Sequence, residues 1–274
     1  GSWEFGGDIE WPDDRLGSGP TVARRPVQDP EDVLKLELPD VTRAGAIPKM
    51  MEFARIQEKH GQPISFVCGS PFTHAANLCG VDKFLLWVAM YPEVVHQAMR
   101  LMTDHILQVA EYFISTFGRG RVIARSAAPT DGLVSAKHFR EFILPYLTEL
   151  HSKVLEMGAD HIYCHICGEQ NHLLDLWAQV PFGDPGMLSF GHEVDLLKAA
   201  EKFPDHIICG NVDPQIVALK DPATIYEACR QSIEKGKQIK AGYVLMGGCE
   251  LSPATPPYHI YLMSKAREEF GWYD

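Results

Sequence analysis

The chain has 274 residues, of which 46% are hydrophobic, and a formal net charge of −11, so it can bury one large core but offers nucleic acid or anionic membranes no basic surface. It contains no apolar run long enough to span a bilayer and no basic-then-apolar signal at its start. Its seven scattered cysteines fit a reducing cytoplasm better than a disulfide framework, so the expected location is cytoplasmic and the expected partners are small molecules or another protein.

The first 44 residues differ in composition from the rest. They are rich in Gly, Pro and Asp with little periodicity, so we expect a wrapping arm with short strands at most. From about residue 45, short apolar segments typical of buried parallel strands alternate with long amphipathic segments. Six segments have this strand character, and each is closely followed by Gly, Pro, Ser or Asp: 64–68, 121–125, 162–167, 187–190, 207–210 and 243–246.

The segments between the strands predict helices with recognisable ends. The expected helices run over 92–118, 135–158 with a kink at Pro145, 222–236 after an Asp221 cap, and from Pro257 to Gly271, and His192 and Glu193 are expected to open another. This alternation predicts an α/β protein, either a (β/α) barrel or an open doubly wound sheet, in one domain over residues 1–274. An eight-stranded barrel needs two more strands, which we expect either in the arm or outside this chain.

The pattern with most chemical content is His165-Ile166-Cys167-Gly168 at the end of the third strand, followed far downstream by Gly247-Gly248-Cys249 at the end of the last. Side chains alternate along a strand, so His165 and Cys167 share a face, and barrel enzymes gather their active sites at the carboxyl ends of the strands. Two thiols and an imidazole favour zinc, and three protein ligands leave one zinc position open for a substrate. From these residues alone, a zinc site and ordinary buried strand residues are about equally expected.

Other residues have two interpretations each. Asp213 follows a strand and precedes Pro214, so it either contacts a ligand at the barrel mouth or caps the next helix. His74 follows the first predicted strand and either faces the mouth or, more commonly for histidine, lies at a surface or helix start. His161 and Tyr163 either pack in the core or support the metal ligands from behind.

Several absent motifs narrow the enzyme classes. The sequence has no Gly-x-Gly-x-x-Gly after a strand, no Walker-type Gly-Lys-Ser/Thr and no Gly-x-Ser-x-Gly. Dinucleotide enzymes, P-loop enzymes and α/β-hydrolases are therefore disfavoured. An Asp-x-His-x-x-Gly pattern, by which many proteins hold cobalamin, is also absent.

The order and spacing of several motifs resemble the uroporphyrinogen decarboxylase superfamily, and within it the zinc-dependent, corrinoid-linked methyltransferases. The resemblance runs from about Gly19-Pro20 to the C-terminus. Its markers are Gly69-Ser70-Pro71-Phe72-Thr73, then Leu133-Val134-Ser135 with Phe139, Phe142 and Pro145-Tyr146, then His165-Ile166-Cys167-Gly168, Gly210-Asn211-Val212-Asp213-Pro214 and Gly247-Gly248-Cys249.

The resemblance implies a distorted (β/α)₈ TIM-type barrel with zinc on His165, Cys167 and Cys249. It implies methyl transfer between a small substrate (a thiol, tetrahydrofolate or a methyl donor) and the cobalt of cobalamin carried by a separate corrinoid protein, with Asp213 and His74 as candidate catalytic contacts. One alternative is metal-free decarboxylation of a tetrapyrrole, although the Arg-rich N-terminal motif of that branch is absent. The other is a non-catalytic barrel with a closed zinc site, for which Cys164 and His161 are the nearest candidate fourth ligands.

Overall fold

The computed structural model of the chain describes residues 1–12, 19–128 and 134–273. Near the start, a short antiparallel pair joins β1 (Asp8–Glu10) and β2 (Thr21–Arg24). The other described strands form one parallel sheet whose neighbours follow the order of the chain. They are β3 (Ile64–Gly69), β4 (Val122–Ala127), β5 (Ile162–Ile166), β6 (Met187–Phe190), β7 (Ile207–Val212) and β8 (Tyr243–Gly247).

The strand order decides between the two architectures that the sequence left open. A parallel sheet in strict chain order is the arrangement of a (β/α) barrel, whereas a doubly wound sheet reverses its order at a switch point. Within the described ranges the sheet has six strands, as the sequence predicted, and β3 and β8 are its two unpaired edges. The assignment of all 274 residues to one domain stays a prediction.

Helices connect the strands of the sheet. In chain order they are α1 (Pro30–Val33), α2 (Ile47–Lys59), α3 (Pro71–Cys79), α4 (Val81–Met90), α5 (Pro92–Phe117), α6 (Ala136–His138), α7 (Leu144–Met157), α8 (Leu174–Trp177), α9 (Leu196–Lys202), α10 (Pro214–Leu219), α11 (Pro222–Gly236) and α12 (Pro257–Phe270). Within the described residues, no helix has the length and apolarity needed to cross a bilayer.

Capping chemistry sets the helix ends much as the sequence indicated. The Asp221 carboxylate accepts hydrogen bonds from the first free N–H groups of α11, and Gly158 ends α7 in the left-handed conformation at φ 101°. Pro145 lies in the first turn of α7, where a missing N–H is harmless, and the expected irregularity precedes it as a π-helical turn, Phe139–Ile143.

The prediction that His192 and Glu193 open a helix is wrong. These residues lie in a turn, and α9 begins at Leu196. The reason is the stronger cap at Asp195, whose carboxylate accepts hydrogen bonds from the backbone of Leu197 at 2.9 Å and of the following residue at 3.2 Å.

The core lies between the helices and the outer face of the sheet. Outward-pointing strand residues such as Phe66, Cys164 and Phe190 are at most 1% exposed. Burying one phenylalanine in this way stabilises the fold by roughly 1.5–3 kcal/mol. The opposite face, which we call the inner face, is less covered: Tyr163 and His165 are half-buried and Val67 on the β3 edge is 54% exposed, although Ser189 on the same face is fully buried. Polar side chains on the inner face are therefore available for chemistry.

Candidate metal centre

His165, Cys167 and Cys249 converge at the carboxyl edge of the sheet. One potential ligand atom of each residue lies within 4.8 Å of the others, with His165 and Cys167 half-buried and Cys249 exposed. In a tetrahedral zinc site with bonds of about 2.0–2.3 Å, the donors stand roughly 3.3–3.8 Å apart, so side-chain rotations would bring this set onto a single ion. The convergence that the two sequence motifs indicated is thus present in the fold.

Glycines allow the two cysteine loops to meet although β6 and β7 separate their strands. Gly191, which follows β6, packs so closely that a Cβ on it would lie 2.7 Å from the Gly168 nitrogen. A Cβ on Gly248 would likewise lie 2.7 Å from the backbone nitrogen of His192. Real Cβ atoms do not approach backbone so closely, so only glycine permits this packing. The turn at 191–192 thereby fills the space between the loops that carry Cys167 and Cys249.

Ser189 orients the imidazole of the cluster. It is the register partner of His165 on the neighbouring strand β6, and its hydroxyl lies 3.0 Å from the His165 Nδ1 atom. A hydrogen bond on one ring nitrogen fixes the ring and assigns metal binding to the other, here Nε2. Ser189 could not be identified from the sequence, because only the register between β5 and β6 brings its side chain to His165.

Burial separates the candidate ligands from the structural thiols. Desolvation raises the pKa of Cys164 to about 12 and that of Cys209 to about 12, and it also raises the pKa of Cys68. Such thiols stay protonated at neutral pH and are poor metal ligands. Cys164 points to the outer face, as strand alternation predicted, so it cannot serve as a fourth ligand.

Among the residues that the structure describes, no fourth His, Cys, Asp or Glu joins the cluster. His161, the other proposed fourth ligand, places its Nδ1 2.9 Å from the Asp160 carboxylate instead. A groove of about 600 Å³ opens beside Cys249 between β8 and α12, with Leu251, Ile260 and Met263 among its apolar lining residues. The cluster therefore offers three potential donors, one of them exposed, and a catalytic zinc site likewise has three protein ligands and one open position.

Asp213 occupies the helix-cap position and also faces the same edge of the sheet. Its Oδ1 accepts a hydrogen bond from the Gln215 backbone at 2.8 Å, so it caps α10. Its Oδ2 lies 3.9 Å from His192 Nε2, and His192 Nδ1 lies 3.5 Å from the Glu193 carboxylate. This contact between His192 and Asp213 was not predicted from the sequence, and the catalytic role of Asp213 stays a prediction.

His74 is not part of the cluster. It lies in the first turns of α3 against Gly69, and it lines a separate cavity of about 270 Å³ together with Glu4, Val67 and His105. Desolvation lowers the pKa of His74 to about 3, so the ring is neutral at physiological pH. The structure thus supports the helix-start interpretation of His74, and a catalytic role for it stays a prediction. Leu133, one marker of the resemblance, lies outside the described residues.

Comparison with known proteins gives a consistent family and fold. The family model of uroporphyrinogen decarboxylase (URO-D) matches residues 2–270. Methylcobamide:CoM methyltransferase MtaA from Methanosarcina barkeri is 26% identical over 237 residues, which cover 84% of this chain and 66% of MtaA. Uroporphyrinogen decarboxylase from Xanthomonas oryzae pv. oryzae is also 26% identical, over 274 residues that cover 91% of this chain and 72% of that enzyme.

A solved methyltransferase from Methanosarcina mazei superimposes with a TM-score of 0.81 at 25% identity, covering 98% of this chain and 77% of the methyltransferase. This likeness confirms the TIM-type α/β fold predicted from the sequence. The chain spans 66% of the length of MtaA.

Proposed function

The chain belongs to the uroporphyrinogen decarboxylase family, and on this premise we propose that it catalyses zinc-dependent methyl transfer between a small substrate and the cobalt of a separate corrinoid protein. The observation that carries the proposal is the convergence of His165, Cys167 and Cys249 within 4.8 Å at the edge of the sheet where barrel enzymes hold their active sites. The similarity to a methylcobamide:CoM methyltransferase and to a solved methyltransferase supports it.

The donor set fits zinc better than the hard cations. Thiolates and imidazole select zinc over magnesium or calcium, which prefer oxygen ligands. When bound, zinc supplies Lewis acidity, which lowers the pKa of a coordinated thiol or polarises the heteroatom of a methyl donor.

Contacts within the chain preorganise the cluster for substrate binding. Ser189 holds the His165 ring by its Nδ1, and the glycine contacts at Gly191 and Gly248 hold the two cysteine loops together. Cys249 is exposed and is one of the residues that line the groove beside β8, so in our proposal a small molecule reaches the cluster past Cys249. In our proposal a thiol substrate or methyl donor enters on this side, while the partner's corrinoid approaches over the mouth of the barrel.

The proposal that a partner carries the cobalamin is supported by the similarity to a methylcobamide:CoM methyltransferase. Asp213 has one carboxylate oxygen in the α10 cap and the other near His192 at the rim, so we propose a contact with substrate or partner through this second oxygen. We assign no step to His74, which lines a different cavity.

Metal-free decarboxylation of a tetrapyrrole is the second candidate. The 26% identity to a uroporphyrinogen decarboxylase favours it as strongly as the identity to MtaA favours methyl transfer. Metal-free decarboxylation, however, does not explain why two thiols and an imidazole converge at the mouth of the barrel. The third candidate, a closed structural zinc site, is disfavoured because Cys249 is exposed and neither Cys164 nor His161 joins the cluster.

Metal analysis of the purified protein tests the centre. We expect about one zinc per chain, lost in Cys249→Ala and retained in Cys79→Ala, whose cysteine is buried on α3 away from the cluster. Zinc that is unaffected by Cys249→Ala would remove Cys249 from the site. A protein that never binds metal would favour the decarboxylase alternative.

The reaction is tested with methylcobalamin and either thiols or tetrahydrofolate, following cobalt demethylation by absorbance. We expect turnover in the zinc-loaded protein and its loss in Cys249→Ala. No turnover with any acceptor would count against transfer in this direction. Release of CO₂ from a porphyrinogen by metal-free protein would establish the alternative.

A further inference from the structure

The buried side-chain amide of Gln170 contacts the backbone of Cys167. Gln170 is only 2% exposed, and its Nε2 donates a hydrogen bond to the Cys167 carbonyl oxygen at 3.2 Å. Its Oε1 accepts a hydrogen bond from the indole N–H of Trp177 at 3.0 Å. Because a buried amide is costly unless its polar atoms are paired, these two bonds fix the position of the Gln170 side chain.

Trp177, which donates to the Gln170 amide, is itself tightly packed. Trp177 is completely buried, and its ring meets the ring of Phe139 edge-on at a centroid distance of 5.1 Å. Gln170 stands at the start of a short 3₁₀ turn, Asn171–Leu173, but its side chain makes no capping bond there. The amide is therefore turned away from its own helix end and toward the loop that carries Cys167.

The contact constrains the direction of the Cys167 side chain. On its N-terminal side, Cys167 is fixed by β5, which is paired to both of its neighbours. On its C-terminal side the chain turns at Gly168 with φ 74°, in the left-handed region, and Gly191 packs against that turn. A hydrogen bond on the Cys167 carbonyl holds the peptide plane between these two parts, and so restrains the direction of the Cα–Cβ bond from which Sγ extends.

We propose that Gln170, held by Trp177, is a positioning residue that orients the Cys167 thiolate toward the metal. This role rests on the proposed metal centre. Groups that orient a metal ligand by hydrogen bonds commonly matter by about 10–100-fold in metal affinity. Gln170 acts on the backbone of the ligand rather than on its donor atom, so its removal should loosen the site without removing a donor.

The test is metal binding by the full chain, with cobalt(II) as a spectroscopic probe and zinc in competition. Gln170→Leu removes both bonds, and Trp177→Phe removes only the indole donor while keeping an aromatic ring against Phe139. We expect Gln170→Leu to weaken cobalt(II) binding about 10-fold or more and Trp177→Phe to weaken it less. Both variants should also change the ligand-field bands, which report the geometry around the ion and would not move if the residues served stability alone.

Thr103→Val is the matched control. Thr103 is also fully buried and donates its hydroxyl to a backbone carbonyl, that of Met99 at 2.8 Å, but within α5. It should leave the cobalt affinity and spectrum unchanged, and an equal loss in this variant would overturn the positioning role. If Gln170→Leu does not fold, Trp177→Phe decides.

The outcomes separate this role from the function on which it rests. The role of Gln170 would be overturned, and the metal centre left intact, if Cys167→Ser abolished cobalt(II) binding while Gln170→Leu and Trp177→Phe kept the wild-type affinity and spectrum. Wild-type protein that binds neither cobalt(II) nor zinc would overturn the metal centre and the positioning role together.

Discussion

His151 is a buried imidazole that ties three parts of the molecule together, and it should make stability depend on pH. Its Nδ1 donates to the Pro181 carbonyl oxygen at 2.9 Å, and its Nε2 lies 2.9 Å from the Ser126 hydroxyl on β4. That hydroxyl lies in turn 2.8 Å from the Gly69 carbonyl oxygen at the end of β3. The ring has no exposure to solvent, and desolvation lowers the pKa of His151 from 6.5 to about 4.

The direction in which stability changes with pH follows from whether the folded or the unfolded chain binds the proton. Between pH 6.5 and 4 the unfolded chain protonates this histidine and the folded chain does not, so the stabilisation is complete above about pH 6.5 and is lost as pH falls toward 4. At 1.36 kcal/mol for each pH unit between the two pKa values, the complete loss is about 3 kcal/mol, of which about 2 kcal/mol occurs between pH 7 and pH 5.

The variant His151→Gln isolates this contribution. Glutamine offers a donor to Pro181 and an acceptor to Ser126 but does not titrate. The other histidines whose pKa is lowered by desolvation, His74, His105 and His206, remain in both proteins. Urea unfolding at pH 7 and pH 5, followed by circular dichroism, should show wild type losing about 2 kcal/mol more than the variant over this interval. Equal losses in the two proteins would refute the reasoning.

Three further changes should separate effects on the site from effects on the core. Gly248→Ala places a Cβ 2.7 Å from the His192 backbone nitrogen and should weaken zinc binding measured by competition. Gly19→Ala is the control, because nothing lies near that position, and it should bind zinc like the wild type. Equal zinc affinities of the two variants would contradict the close packing of the loops at Gly248. Ser189→Ala removes the hydroxyl 3.0 Å from the His165 ring and should weaken zinc binding about 10-fold or more in the same assay; an unchanged affinity would contradict the role of Ser189 in orienting the ring. Phe190→Ala empties a fully buried position and should lower the free energy of unfolding in urea by about 3–5 kcal/mol, and a loss below about 1 kcal/mol would mean that the site collapses to fill the cavity.

Local rules were sufficient for most of the framework. Apolar segments ending in turn residues located the six strands that the described residues contribute to the parallel sheet, and capping residues such as Asp221 and Gly158 located helix ends to within a residue or two. Strand alternation predicted that His165 and Cys167 share a face and that Cys164 points away. These features depend only on residues close together in sequence, so a single sequence contains them.

Features that depend on contacts between distant segments could not be predicted. The pairing of Ser189 with His165 requires the register of two strands, and the bond from Gln170 to the Cys167 carbonyl requires the backbone of a turn. The turn at His192 was mistaken for a helix start because a better cap, Asp195, lies three residues later.

The separation of the ligands along the chain gives the centre a second consequence. Cys167 follows β5 in the middle of the sheet and Cys249 follows β8 at its edge, with about 80 residues between them, so an ion that binds both closes a long loop as a cross-link would. Such a cross-link is absent from the unfolded chain, and its binding free energy adds to the free energy of folding. Metal loading and thermal resistance should therefore rise and fall together in this protein, and a chelator would act as a mild denaturant.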